Sequence, residues 1–154
     1  MREDDLLELV EQGKFAELYD IVSIDDVADA WLAHLREPTE VGKDRYWWAV
    51  QLLYDDPDVA RRRSVILSLI DKARDDEELG AVAAGPLEGN LSDAESTLRW
   101  AEDQARASQR FRLALRCTYV WDLPDAAFAR LEAAAGSELQ HPDRAAYERR
   151  YSGA

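Results

Sequence analysis

Cysteine, histidine and long apolar runs are scarce in this chain of 154 residues. Cys117 is its single cysteine, which excludes an intramolecular disulfide and a cysteine-based zinc site. No apolar run approaches the length of a membrane span, and the start of the chain is acidic where a signal peptide is basic. These absences lead us to expect a cytoplasmic protein without a membrane partner.

Catalytic motifs are equally scarce. The sequence has no glycine-rich phosphate loop, and with two histidines no convincing Ser-His-Asp arrangement can be assembled. Cys117 falls late in a predicted helix, whereas a nucleophilic thiol needs a histidine base or a helix N-terminus. His34 and Glu37 have the spacing of a di-iron motif, but no second such motif exists, so a surface histidine is favoured. We expect a non-enzymatic protein without cofactor or metal; chemistry that uses carboxylates alone stays open.

Basic residues are few relative to acidic ones. The chain has 19 Lys and Arg against 32 Asp and Glu, which gives a net charge of −13. Phosphate backbones repel such a chain, so nucleic acid is disfavoured as a partner. The excess is concentrated early: residues 1–60 hold 16 acidic and 5 basic side chains, whereas residues 61–154 hold 16 and 14. The N-terminal part should therefore project a negative field.

Adjacent acidic residues are the most visible local pattern. Paired carboxylates can bind a divalent metal, but neighbours on a helix point about 100° apart, which suits chelation poorly. Each pair also falls in or just before a predicted first helical turn, where carboxylates cap free N–H groups. We therefore interpret as capping residues the pairs Asp4-Asp5, Asp25-Asp26, Asp55-Asp56 and Asp75-Asp76.

Helical periodicity runs almost throughout the chain, and no convincing strand pattern appears. We predict an all-α protein of antiparallel helical hairpins, stacked as a compact bundle or as a short HEAT-like solenoid. The predicted division is one domain over residues 1–136 and a charged tail over residues 137–154. Ser23, Asp75, Ser92 and Ser108 are predicted helix caps.

Three further local predictions concern the middle of the chain. Between Tyr46 and Tyr54 only Gln51 is strongly polar, so that helix is predicted to be buried on all sides. Asp56 is predicted to cap the next helix. The basic run over residues 61–63 is interpreted as a solvated face.

Glu88 stands among apolar and glycine neighbours. The favoured interpretation makes Gly85 a helix cap and Pro86 the first helical residue, so that Glu88 complements the helix dipole. The alternative is a partly buried ion pair between Glu88 and Arg112 or Arg116, which would fix packing or line a pocket.

Four sequence elements together resemble a family of small bacterial proteins of unknown function: Tyr46-Trp47-Trp48, Ala84-Gly85-Pro86-Leu87-Glu88, Phe111-Arg112-x-Ala114-Leu115 and Val120-Trp121. The Gly-Pro-Leu-Glu element is the most specific of them. The resemblance covers about residues 31–122 and implies one structural unit that contains Trp48, Glu88 and Trp121. The acidic helices over residues 1–30 lie outside it. It implies no activity, cofactor or catalytic residue.

The leading hypothesis is a non-catalytic module that binds a basic protein. Small, acidic, all-helical proteins without catalytic motifs resemble bacterial immunity proteins that neutralise basic toxins. The alternative is that the excess of acidic side chains only keeps the protein soluble. The residues predicted to bind the partner are Glu3, Asp4, Asp5, Glu8, Glu11, Asp25 and Asp26.

Two other classes of function stay open. One is a small-ligand-binding or enzymatic helical domain, with a pocket formed by Trp47, Trp48, Glu88, Arg112 and Arg116. The other is a DNA mimic, which would need an ordered row of carboxylates at phosphate-like spacing.

Overall fold

A computed structural model describes residues 2–120, 122–137 and 139. All regular structure in these residues is helical, so the all-α prediction is confirmed. None of the helices described is long and apolar enough to cross a membrane. The α-helices are α1 (Glu3–Glu11), α2 (Phe15–Ile21), α3 (Ile24–Arg36), α4 (Glu40–Asp44), α5 (Trp47–Asp55), α6 (Val59–Lys72), α7 (Asp76–Val82), α8 (Glu95–Ala107), α9 (Gln109–Arg116) and α10 (Asp125–Ala135).

The chain divides into two compact units, Met1–Arg74 and Asp75–Ala154. In the first unit α3 packs against α5 and α6, and α1 packs against α2 and α5. In the second unit α8, α9 and α10 pack against one another, and α7 packs against α9. The single domain over residues 1–136 stays a prediction. Apart from residues 137 and 139, the tail lies outside the described residues.

Capping side chains begin several helices where the sequence predicts them. The Ser23 hydroxyl accepts the N–H of Asp26 at 3.0 Å, and the Asp26 carboxylate accepts the N–H of Ser23 at 2.8 Å. This reciprocal pair satisfies two N–H groups that the first turn of α3 leaves without partners. Asp75 and Ser108 cap α7 and α9 through single hydrogen bonds. The predicted cap at Ser92 is wrong, because Ala94 is the residue that precedes α8. The capping interpretation is thus confirmed at Asp26 and Asp75.

Helix α5 is buried on one side only. Trp48 is 5% exposed, whereas Trp47 and Tyr54 are 42% and 78% exposed. Trp47 and Tyr54 are two helical turns apart and share a face, while α1 and α3 pack against the helix. The prediction of a helix buried on all sides is therefore wrong, because an apolar surface does not ensure a packing partner on every face.

Each unit has an aliphatic and aromatic core. In α3, Leu32 is buried in the core at 1% exposure, whereas Leu35 is 37% exposed. Gly136 ends α10 with a φ of +73°, a left-handed conformation that costs glycine little. The largest fully buried side chains include Leu18, Leu32, Leu52, Ile66 and Leu69 in the first unit and Leu87, Phe111, Leu115 and Leu131 in the second.

Candidate functional site

Helix α1 carries a row of carboxylates on its outer face. Asp4, Glu8 and Glu11 follow one another at spacings of four and three residues, which places them on one side of the helix. All three are exposed, whereas Leu6 and Val10 of the same helix are buried. We call Asp4, Glu8 and Glu11 the acidic stripe.

The first turn of α1 holds two further predicted binding residues, and both have partners. Glu3 forms an ion pair with Arg45 at 3.4 Å. A backbone hydrogen bond and the Arg45 guanidinium lower the pKa of Glu3. The Asp5 carboxylate accepts the N–H of Arg2 at 3.1 Å. These two carboxylates therefore hold the start of the helix as well as adding negative charge.

The predicted binding residues of α3 are also engaged. Asp25 accepts the hydroxyl of Ser68 at 2.6 Å, and Asp26 is occupied by its cap. One turn further along, Asp29 pairs with Lys72 at 2.9 Å. The cations of α6 thus belong to the same unit as the early acidic residues, and residues 1–74 carry a net charge of −7, with 17 acidic and 10 basic side chains.

Two acidic residues of α2 were missed by the sequence analysis. Glu17 and Asp20 are exposed and lie three residues apart on α2. Within the described part of the chain, their carboxylates have no cationic or hydrogen-bonding partner, and the same is true of Asp4 and Glu11. Glu8 accepts a hydrogen bond from the side-chain amide of Gln12. Their helical spacing could have indicated them beforehand.

A half-exposed aromatic group lies in the same unit. The rings of Trp47 and His34 are 5.8 Å apart and inclined by 49°. The Trp47 indole donates to Gln51 at 3.1 Å, which holds the side chain in place. Burial beside Trp47, together with the positive charge of Lys43, lowers the pKa of His34. We call Trp47 and His34 the aromatic patch.

Asp56 is the buried carboxylate of the first unit, at 1% exposure. It accepts two hydrogen bonds from Arg61, at 2.9 and 2.8 Å, and one from the N–H of Asp58 at 3.0 Å. Arg61 also stacks over Tyr19, whose pKa rises to about 12, mainly through burial. The predictions that Asp56 caps α6 and that residues 61–63 form a solvated face are therefore wrong. Asp58 caps the helix, which frees Asp56 to bind Arg61.

Glu88 in the second unit binds backbone rather than arginine. Residues Ala83–Leu87 form a π-helical turn that continues α7, so Gly85 does not cap a new helix. The wider turn accommodates Pro86, which lacks an N–H and whose ring would clash with a carbonyl in an α-helix. The Glu88 carboxylate accepts the N–H of Tyr119. Burial raises the pKa of Glu88, while the Tyr119 bond opposes the shift.

The two arginines proposed as partners of Glu88 cap helix ends. Arg112 donates to the carbonyl of Ala105 near the end of α8, and Arg116 donates to the carbonyl of Ala135 at the end of α10 at 2.9 Å. Both predicted ion pairs with Glu88 are therefore wrong. Lys and Arg side chains are well suited to these positions, because the last carbonyls of a helix lack intrahelical partners.

Arg112 lines a cavity of about 450 Å³ in the second unit. Its walls include Arg106, Arg130 and Glu102, together with alanines of α8 and α10. Of the five residues predicted to form a pocket, Trp47 and Trp48 belong to the first unit, and Trp48 is buried in its core. Glu88 is not among the described residues that line this cavity.

Among the described residues, no three or more His, Cys, Asp or Glu side chains are close enough together to hold a metal ion. Cys117 is partly buried, and burial raises the pKa of its thiol.

Comparison with known proteins gives one family match, over residues 36–139. No curated protein and no solved structure matches the chain. The resemblance to a family without a known activity is confirmed. Trp121, which contributed to that resemblance, lies outside the described residues. Because the matched segment covers more than half of the chain, the protein belongs to the Family of unknown function (DUF6869).

Proposed function

We propose that the chain is a non-catalytic protein-binding module that docks on a basic protein through the acidic stripe. One observation carries this proposal: three carboxylates project from a single exposed face of α1 and meet no cation among the described side chains. Glu17 and Asp20 of α2 add two more carboxylates to the same unit, and these too have no cationic partner among the residues described. A basic partner would supply the missing positive charge.

Repulsion within the stripe adds a physical reason for such a partner. Like charges at i,i+3 and i,i+4 spacing destabilise a free helix by a few tenths of a kcal/mol per pair. A cationic surface docked on α1 relieves that repulsion. Negative potential also speeds encounter with a positively charged partner and sets the dependence of the association rate on salt.

The aromatic patch supplies an anchor beside the charge. Exposed tryptophan is enriched among residues that dominate binding energy, because it buries a large area with few rotatable bonds. Helix α1 packs against α5, and the Glu3–Arg45 ion pair joins the start of α1 to the residues just before Trp47. Both features therefore belong to one region of the first unit. We propose that the stripe speeds association with the partner through its charge, and that Trp47 slows dissociation.

More specifically, we propose that the partner is a basic toxin, which the chain neutralises in a bacterial cytoplasm. It rests on the resemblance of small, acidic, all-helical proteins without catalytic motifs to immunity proteins. Co-expression with the captured partner tests it: the chain should restore growth to cells that the partner poisons. If the partner is harmless when it is expressed alone, toxin neutralisation is excluded and protein binding alone remains.

The docking test measures binding kinetics with the partner captured from the native host. A triple variant converts the three carboxylates of the stripe to amides. A matched control removes the same charge at exposed positions elsewhere, with Asp71→Asn, Glu77→Gln and Asp93→Asn. The stripe variant should associate about tenfold more slowly at low salt, with a smaller difference near 0.5 M, where screening is strong.

The control separates local docking from general acidity. If the acid serves solubility alone, the two triple variants behave alike, and neither changes the association rate selectively. An unchanged association rate of the stripe variant would remove the stripe from the mechanism. Trp47→Ala should instead raise the dissociation rate, and thermal melts of all variants check that the fold is intact.

A further inference from the structure

Two guanidinium groups of α9 have no carboxylate partner in the described part of the chain. Arg112 and Arg116 each donate a hydrogen bond to a backbone carbonyl, of Ala105 and Ala135 respectively. This is unusual in a chain with a net charge of −13. A guanidinium has five N–H groups, so each arginine retains donors that these carbonyls do not use.

Helix dipoles compensate these two cations only in part. Ala105 and Ala135 lie in the last turns of α8 and α10, where the carbonyl ends of a helix act as roughly half a negative charge. Two full positive charges facing two half charges leave a surplus of about one positive charge. That surplus favours a bound anion.

The surplus charge adjoins the cavity. Arg112 lines the cavity directly, and Arg116 lies beside its lining residue Gly136, with Nη2 3.5 Å from where a β-carbon on that glycine would sit. Because Arg112 and Arg116 are four residues apart on α9, their side chains project from the same face. Both guanidinium groups therefore adjoin the same cavity.

The remaining charges of the cavity wall are already balanced. Arg130 pairs with Glu95 at 2.7 Å and also with Glu102, the one acidic residue among the described lining side chains. Arg99 pairs with Glu95 at 2.9 Å as well, so two cations meet two carboxylates. Arg106 pairs with Asp103. The alanines of α8 and α10 form an apolar wall. A charged side and an apolar side in about 450 Å³ match the size and chemistry of a small-molecule site.

We propose that this cavity binds a small organic anion, with a phosphate or carboxylate group held by Arg112 and Arg116 and a compact apolar body against the alanines. Planar guanidinium groups bind both oxyanions through paired N–H···O hydrogen bonds. The site is independent of the docking surface proposed for the first unit, so either can fail alone.

The test titrates the full chain with four probes: inorganic phosphate, phenyl phosphate, benzoate and benzyl alcohol. Calorimetry gives the affinities, and NMR follows the side-chain Nε–H signals of the arginines. Phenyl phosphate or benzoate should bind saturably and more tightly than inorganic phosphate, and the preferred one identifies the anionic group. Benzyl alcohol, which has the apolar body without the charge, should not bind.

Two variants locate the site. Arg112→Gln should weaken the preferred probe about tenfold or more, whereas Arg110→Gln, with the same charge change on the same helix, should leave its affinity unchanged. Ala133→Phe places bulk at an exposed edge of the cavity while keeping both guanidiniums. This variant should no longer bind the probes that have a ring but should still bind inorganic phosphate. It also tests the proposal if Arg112→Gln fails to fold.

Three outcomes would overturn the proposal. The first is that no anion binds saturably at millimolar concentration. The second is an equal loss of affinity in Arg110→Gln and Arg112→Gln, which would show general screening rather than a site. The third is full binding of phenyl phosphate or benzoate by Ala133→Phe, which would place the ligand elsewhere.

Discussion

Removing the buried carboxylate of Asp56 should destabilise the first unit strongly. Asp56→Ala deletes two hydrogen bonds to Arg61 and one to the N–H of Asp58, all at 2.8–3.0 Å. Breaking a buried ion pair typically costs 3–5 kcal/mol, because one charge is left uncompensated. The Arg61 side chain is 30% exposed and can regain water, so we expect a somewhat smaller loss, about 2–4 kcal/mol.

The adjacent residue provides a matched control. Asp55 is exposed and accepts one hydrogen bond, from Gln51. Asp55→Ala should change the free energy of unfolding by no more than about 0.5 kcal/mol. Urea unfolding followed by both circular dichroism and tryptophan fluorescence measures each variant, and agreement of the two probes checks two-state behaviour.

A double variant isolates the pair itself. Asp56→Ala combined with Arg61→Ala removes both charges, so its loss of stability should be smaller than the sum of the two single losses, by about 1.5–3 kcal/mol. If Asp56→Ala behaves like Asp55→Ala, the ion pair contributes nothing and the reasoning from burial is refuted.

Three further predictions concern single side chains. In urea unfolding, Trp48→Ala should lower the free energy of unfolding by about 3–5 kcal/mol, whereas Trp47→Ala should lower it by less than about 1 kcal/mol. Equal losses would contradict the different burial of the two side chains. Since burial raises the pKa of Glu88, its contribution to stability is present below about pH 4.5 and is lost as pH rises through its folded pKa. The stability of the native chain relative to Glu88→Gln should therefore fall across that window, and a rise would refute the sign. Because Glu95 is paired with Arg130, its pKa measured by NMR should be about 2, and Arg130→Gln should raise that pKa.

The parts of the fold that the sequence predicts depend on neighbouring residues. Ser23 and Asp26 are three residues apart, and the pattern alone identifies their reciprocal cap. The stripe on α1 follows from helical spacing in the same way. Trp47 and Trp48 are different: both are apolar, and which of them is buried depends on the helices that pack against α5.

The sites depend on contacts that no local pattern encodes. Glu88 binds the N–H of Tyr119, 31 residues later, and Arg116 binds the carbonyl of Ala135, 19 residues later. A backbone group has no sequence signature, so an arginine or a glutamate that binds one resembles any other charged residue. Sequence reasoning accordingly singled out Glu88, but it favoured a helix-dipole role for this residue and gave an ion pair with Arg112 or Arg116 as the alternative.

The family match bears differently on the two proposals. It begins at residue 36, after the acidic stripe and after Glu17 and Asp20 of α2. All the described lining residues of the cavity, with Arg112 among them, lie inside it. A property common to the family must rest on the segment that defines the family. Of the two proposals, anion binding at the cavity therefore rests on the segment that defines the family, whereas docking through the stripe of α1 rests on residues outside it.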